Sequence, residues 1–352
     1  MKILFLQDRS YFTRYGFEDE GLSYTVCFLE GDYKKSTRNL TKYDLIMSCI
    51  YHDVMANHII NKAASVGVKS IFLTDGVFDL ANSINNGITS SLNLFPQLPI
   101  VTDYICVSSN MSEKLAKYFG KTPLKLLPKF ISHTEVTSTK GRSVLITTAN
   151  SSYFNDEEFQ ALNRLIVETY KFCIDSGIDV YFRIFDGRIV KELTQKLKLR
   201  ADLFRNEGGF EESLEGVGAV FTTHSSICVT TATSRVPTCC FLYRSEPTEP
   251  IYGWVYFNGL SLEKIYNEMM KASAARLDFQ VAAVQGYGSL DLSSLINDVE
   301  IERSESKFYE ANYAAALDSW LNLNLMYRIR MIYLRVKGFP LVAKLRKILL
   351  VR

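Results

Sequence analysis

Apolar runs of about four to six residues recur in the first third of the chain, at 3–6, 24–29, 44–49, 70–73 and 104–107, separated by polar stretches long enough for helices. Buried strands joined by helical crossovers make a parallel sheet. One crossover is legible from Met55 to Val66, where Ile59, Ile60, Ala63 and Ala64 share a helical face before Gly67 ends it. Another starts at Ser109 or Asn110 and is halted by Gly120. Residues 128–142 then lose all periodicity and hold Ser, Thr, Lys and Gly, the composition of a connector. Beyond it the rhythm restarts, with strands at 144–146, 180–184, 219–221 and 238–242 and helices at 156–176 and 189–197. From residue 261 the pattern is mostly helical, including 262–275 and 309–323, and no short-period repeat occurs. The expected architecture is α/β: one open parallel-sheet domain over 1–135, a second over 143–290, and a helical C-terminal region over 291–352.

The stretch from Gly218 to Phe241 reads as a buried strand, a hydroxyl-rich turn, a short helix and a second buried strand after Pro237. Thr222, Thr223, His224, Ser225 and Ser226 gather donors where the next helix exposes its unpaired N–H groups, a place that suits a phosphate. In open α/β sheets ligands collect beyond the carboxyl ends of the strands. A helix capped by Ser or Thr with no ligand is the alternative. Two other strand ends lie in the same domain: Thr147, Thr148, Ala149 and Asn150 follow one, and Arg183 sits in another ahead of Asp186-Gly187-Arg188. Thr147, Asn150, Arg183, Thr223, Ser225 and Ser226 are therefore the candidate contacts to a nucleotide phosphate, since Arg offers a rigid fork to anion oxygens. Arg183 has a second reading as the partner of a buried acid, and Arg188 as a surface residue. His224 is either a donor to a leaving phosphate or a structural hydrogen-bonder.

In the first domain a buried strand delivers Asp75 at its carboxyl end beside Gly76, which permits a sharp exit. A carboxylate there takes a proton from an attacking hydroxyl, or else only closes an Asp-Gly turn. Gly76, Asp79 and Asn82, with Asn85 and Asn86 beyond, continue a polar line suited to sugar hydroxyls. Asp19-Glu20-Gly21 precedes a strand and reads as surface. The phosphate loop Gly-x-x-x-x-Gly-Lys-Ser/Thr, the dinucleotide loop Gly-x-Gly-x-x-Gly and the hydrolase elbow Gly-x-Ser-x-Gly are all missing, which argues against P-loop hydrolysis, dinucleotide redox chemistry and serine hydrolysis.

Seven scattered cysteines, mostly inside apolar runs, favour buried reduced thiols. Four histidines without ligand spacing predict neither a metal nor a cofactor. The balance of 40 Lys and Arg against 38 Asp and Glu hides an asymmetry. Eight bases and no acid follow Asp318, interleaved with Leu, Ile, Met and Phe, so the body is net negative and the tail carries the positive excess. Residues 325–352 thus have the mixture of an amphipathic segment at an anionic membrane surface. The alternatives are nucleic acid, disfavoured by so apolar a tail, and a terminal helix packed on its own body. The first eight residues are too short for a signal-peptide core and read as a strand, and no apolar stretch is long enough to span a bilayer, so a cytoplasmic body is expected.

The sequence resembles glycosyltransferases of the GT-B architecture, in which two Rossmann-like domains face each other across a cleft. The likeness runs over nearly the whole chain and is carried by Tyr104-Ile-Cys-Val-Ser-Ser-Asn-Met-Ser-Glu-Lys-Leu, Leu127-Pro-Lys-Phe and Val144-Leu-Ile-Thr-Thr-Ala-Asn. Thr74-Asp75-Gly76 with His224-Ser225-Ser226 is similar to the paired motifs of bacterial sialyl and Kdo transferases, which use CMP-activated keto-sugars in capsule and lipopolysaccharide synthesis. By that resemblance Asp75 and Gly76 match the motif of the base, and Ser225 and Ser226 the motif that holds the donor phosphate. Thr74 stands where the motif has its first acid, and Arg183-Ile-Phe-Asp186 where it has a His-Pro pair. The resemblance implies a metal-independent transfer from a nucleotide-sugar, CMP-linked in first preference, to a glycan or lipid-linked acceptor at the inner face of a bacterial plasma membrane. A sugar-nucleotide epimerase and a non-catalytic glycan-assembly protein are the alternatives of the same shape.

Overall fold

A computed structural model describes residues 1–13, 15, 17, 24–29, 39–50, 54–74, 102–107, 113–114, 116–117, 121–125, 141–149, 155–244, 253–285, 292–298, 329 and 332. The chain is α/β and contains two separate parallel sheets, each wound in the Rossmann-like manner. The first consists of β1 (Lys2–Phe5), β2 (Thr25–Phe28), β3 (Leu45–Ser48), β4 (Lys69–Leu73), β5 (Tyr104–Val107) and β6 (Thr122–Lys125), with α1 (Arg9–Thr13) after β1 and α2 (Val54–Ala64) after β3. Its order is β2-β1-β3-β4-β5-β6. Side chains alternate across it, so that Ile3, Phe5, Leu45 and Met47 join one core while Leu4, Ile46 and the apolar face of α2, with Ile59, Ile60 and Ala63, form the other. β6 is absent from the sequence expectation because Pro123 breaks its strand pattern; at a sheet margin a missing N–H is tolerated.

The second sheet is β7 (Ser143–Thr147), β8 (Val180–Arg183), β9 (Val217–Thr222), β10 (Thr238–Phe241) and β11 (Trp254–Tyr256), ordered β11-β10-β9-β7-β8. Both sheets thus put their first strand between the second and the third. α3 (Asp156–Asp175), α4 (Gly187–Leu197) and α7 (Leu262–Met270) bury Leu162, Ile166, Leu193 and Met269 against Val144, Ile146, Phe182 and Phe221. On the opposite face lie α5 (Phe210–Ser213) and α6 (Ser226–Thr233), and α8 (Ala274–Gln285) packs on α6. α7 and α8 are two helices, not the single one that the pattern over 262–275 suggests. At Gly253 the neighbouring backbone comes so close that a Cβ would stand 1.9 Å from the Thr238 carbonyl oxygen.

α9 (Leu292–Asp298) returns to the first sheet, where Leu292, Leu295 and Ile296 enter the core that holds Ile3 and Phe5. The segment grouped by sequence with the C-terminal region therefore begins as part of the first lobe's core. Among the described residues no helix is long and apolar enough to cross a membrane.

Candidate functional site

In each sheet the crossovers diverge from the first strand, and the crevice between first and third strands at their carboxyl ends is the place where such sheets take ligands. The two crevices differ. In the first lobe Gln7, only 6% exposed, stitches the gap shut: its Nε2 donates to Ser48 Oγ at 3.1 Å and its Oε1 accepts from the Cys49 N–H at 2.9 Å.

In the second lobe the corresponding ends are Thr147-Thr148-Ala149, where β7 finishes, and Thr222-Thr223-His224-Ser225, where β9 finishes. One bond crosses between them, from the Ala149 N–H to Thr223 Oγ1 at 2.8 Å. The Thr148 hydroxyl is fully buried and the Ser225 hydroxyl is shielded from water, and neither has a hydrogen-bond partner. An orphaned buried hydroxyl costs about 1–3 kcal/mol, which makes such groups markers of a missing ligand, ion or water.

The three helices that directly serve β7, β8 and β9 start near the carboxyl edge, and their first turns are not alike. α3 is closed by a capping box in which Asn155 Oδ1 accepts from the Glu158 N–H and Glu158 Oε2 accepts from the Asn155 N–H, and Asp156, Glu157 and Glu158 already meet its positive end. α4 is capped by Asp186, whose carboxylate accepts from the Arg188 backbone and guanidinium. Burial pushes the Asp186 carboxyl up, but those Arg188 hydrogen bonds more than reverse it and leave it below the ordinary carboxylate range. α6 has no side-chain cap bond from Ser225 and no acid in its first turn. Its N-terminus is thus the one of the three that keeps its field for an anion.

Thr147, Thr223, His224, Ser225 and Ser226 all come to this edge. Thr147 is turned into the sheet, where its hydroxyl donates to the Arg183 carbonyl at 2.7 Å, and Thr223 is the acceptor for Ala149. His224 is buried between β9 and α6. Arg183 ends β8, but its guanidinium is engaged: Nη1 donates to the carbonyls of Arg205 (2.7 Å) and Glu207 (3.1 Å), and Nη2 to that of Gly208 (2.9 Å). Burial lowers its pKa, with the Glu211 and Glu212 carboxylates working the other way. It braces the 205–208 turn, a role that neither sequence reading gave it. Thr148 is the converse case, noted at the strand end but not chosen as a contact. Asp75, Gly76, Asp79, Asn82 and Asn150 lie outside the described residues. Among the described residues no group of three or more His, Cys, Asp or Glu is placed to hold a metal ion.

No protein-family model matches the sequence, and no curated protein matches it. Among solved structures the chain is similar to a putative UDP-N-acetylglucosamine 2-epimerase from Listeria monocytogenes, at 12% identity over 87% of this chain and 99% of that one, with a TM-score of 0.48. It is similar to Anabaena HepE in complex with UDP and glucose, at 12% identity over 91% and 100% of the two chains and a TM-score of 0.47. It is also similar to S. aureus MnaA bound to UDP, at 14% identity over 83% and 93% and a TM-score of 0.46.

Proposed function

We propose that the chain is a glycosyltransferase that moves a sugar from a nucleotide-activated donor, a CMP-linked keto-sugar in first preference, to a lipid-linked or oligosaccharide acceptor in bacterial surface glycan synthesis. The observation that carries this reading is the acid-free, uncapped start of α6, with the orphaned hydroxyls of Thr148 and Ser225 at the switch point of the second sheet. A departing nucleotide phosphate seated there would receive the helix field and those hydroxyls, charge stabilisation of the kind that lowers a transfer barrier most. In this reading His224 donates to the leaving phosphate, and Asp75 on the first lobe deprotonates the acceptor hydroxyl. The CMP preference rests on the likeness of Thr74-Asp75-Gly76 and His224-Ser225-Ser226 to the keto-sugar transferase motifs.

Thermal shift with CMP, UDP, GDP and TDP tests the donor. Stabilisation by CMP is expected; stabilisation by UDP or GDP alone would overturn the keto-sugar preference, and none by any nucleotide would favour a non-catalytic assembly protein. The α6 site serves an epimerase of the same plan equally, because it concerns only the nucleotide. Product analysis separates the two, since an epimerase turns over without an acceptor. Asp75→Ala should abolish transfer while leaving nucleotide stabilisation intact.

Residues 325–352 would bring the enzyme to the anionic inner face of the plasma membrane. Their removal should release the protein from phosphatidylglycerol vesicles, and undiminished binding would place the contact elsewhere.

A further inference from the structure

Away from the α6 anion site, the second lobe carries two neighbouring cavities, of about 560 and 340 Å³, that share Ala161, Arg164 and Tyr243. Together they form a groove. One wall is a stripe of α3, Glu157, Ala161, Arg164 and Glu168, spaced to lie on a single helical face; the other is built by the chain leaving β10 and β11, with Tyr243, Phe257 and Asn258. Ala161, with its small side chain, lines both cavities, and Leu165 lines the smaller one. Each volume is within the range of small-ligand sites.

The lining selects the chemistry of an occupant. Among the described lining residues acids outnumber bases, with Asp156, Glu157, Glu158 and Glu168 against Arg164 and Arg244, and Arg244 is already paired with Glu158 at 3.4 Å. A phosphate or another carboxylate would meet net repulsion there, in contrast to the α6 site with its acid-free first turn. The groups that remain are planar and paired in their bonding atoms. The Tyr256 hydroxyl donates to Glu168 Oε2 at 2.7 Å, which fixes that carboxylate and leaves Oε1 to accept from a ligand hydroxyl. Arg164 offers a fork of donors, and the Asn258 amide both donates and accepts. Phe257 lies beside them with 43% of its surface exposed. Forked polar groups around an open ring, with anions disfavoured, match a neutral polyhydroxylated ring: hydroxyls in its plane and C–H faces above and below.

We infer that this groove along α3 binds a neutral oligosaccharide. The inference rests on the transferase reading only in identifying the occupant as an acceptor chain. Cys240 pairs with Thr222, so β10 and β9 reach their carboxyl ends about one strand spacing, ~5 Å, apart.

The test is an array of neutral and acidic oligosaccharides probed with the full chain. Neutral glycans should be retained, with binding at least about tenfold weaker in Phe257→Ala and in Arg164→Ala and preserved in Phe257→Tyr, which keeps the ring. Both positions are exposed, and unchanged melting temperatures would show that the variants fold. No glycan retained, retention of acidic glycans alone, or neutral binding indifferent to both Ala variants would overturn the inference. Nucleotide thermal shift on the same proteins reads the α6 site separately: a chain that binds glycans but no nucleotide sinks the transferase reading and leaves the groove standing, and the reverse result does the opposite.

Discussion

The Ala149 N–H and the Thr223 hydroxyl, 2.8 Å apart, are joined across the switch point of the second sheet although 74 residues separate them in the chain. The bond fixes the exits of β7 and β9 against each other, which sets where Thr148 and Ser225 stand. Thr223→Val keeps the shape and removes the acceptor, leaving the Ala149 N–H unsatisfied. A loss of about 1 kcal/mol is expected for a half-buried orphan donor, read as a lower urea midpoint, together with weaker nucleotide stabilisation. A variant as stable as the parent would mean that the bond does not organise the site.

Thr148→Val should behave oppositely in the free protein. Its hydroxyl is fully buried and unpartnered, so replacing it by a methyl group of similar size removes a desolvated polar atom and loses no bond. The melting temperature without ligand should stay level or rise. If the hydroxyl donates to a bound phosphate, nucleotide affinity should fall by about 10–100-fold, the worth of one hydrogen bond to a charged group. Isothermal titration decides it, and unchanged affinity would take Thr148 out of the site.

Arg183 is predicted to matter for stability before binding. Its three carbonyl contacts hold a turn in which Asn206 also mimics a strand, accepting from the Ile184 N–H at 3.1 Å and donating to the Ile184 carbonyl at 2.9 Å. Lysine has one nitrogen and cannot reach all three carbonyls. Arg183→Lys should lower unfolding free energy by roughly 2–4 kcal/mol, with Arg183→Ala no less damaging, measured by urea denaturation. A Lys variant of parental stability would contradict the brace.

The division between what the sequence made legible and what it did not follows from the range of the interactions involved. β7, β9 and β10 could be read because apolar runs between helical stretches are a local signal, and α3 because its helical stretch is long. The hydroxyl cluster before α6 was readable for the same reason. The fate of Arg183 was not, since its carbonyl partners are 22 to 25 residues away and a guanidinium suits a carbonyl cage as well as a phosphate. Thr148 escaped because a threonine at a strand end is unremarkable until its neighbours are known to leave it without a partner. β11, three residues long, had too little pattern to be seen, and its place beside β10 comes from pairing alone.

The close backbone approach at Gly253 gives a steric prediction. A Cβ there would stand 1.9 Å from the Thr238 carbonyl oxygen, well inside any tolerable contact, and backbone on the other side cannot swing away as a side chain would. Gly253→Ala should therefore cost more than about 2 kcal/mol by pushing β11 off β10, visible as a lower melting temperature and faster amide exchange in β11. Retained stability would show that the edge strand shifts freely.

The buried thiols set an alkaline limit. Burial pushes Cys173 up to about 12 from an ordinary value of 9.0, and it also raises Cys106 and Cys239. In the unfolded chain these groups release protons near pH 9, whereas in the fold they keep them, so above that pH the native state holds more protons and stability falls as pH rises. Their contribution is complete below about pH 9 and is lost progressively toward the raised folded values. The urea midpoint should be insensitive to these groups between about pH 6 and 8 and decline above about 9, with Cys173→Ala flattening part of that decline. At about pH 8 a thiol reagent should label the half-buried Cys27 and Cys49 and spare Cys106, Cys173 and Cys239. Rapid labelling of Cys173 in the native protein would mean that the α3 core opens far more readily than its burial implies.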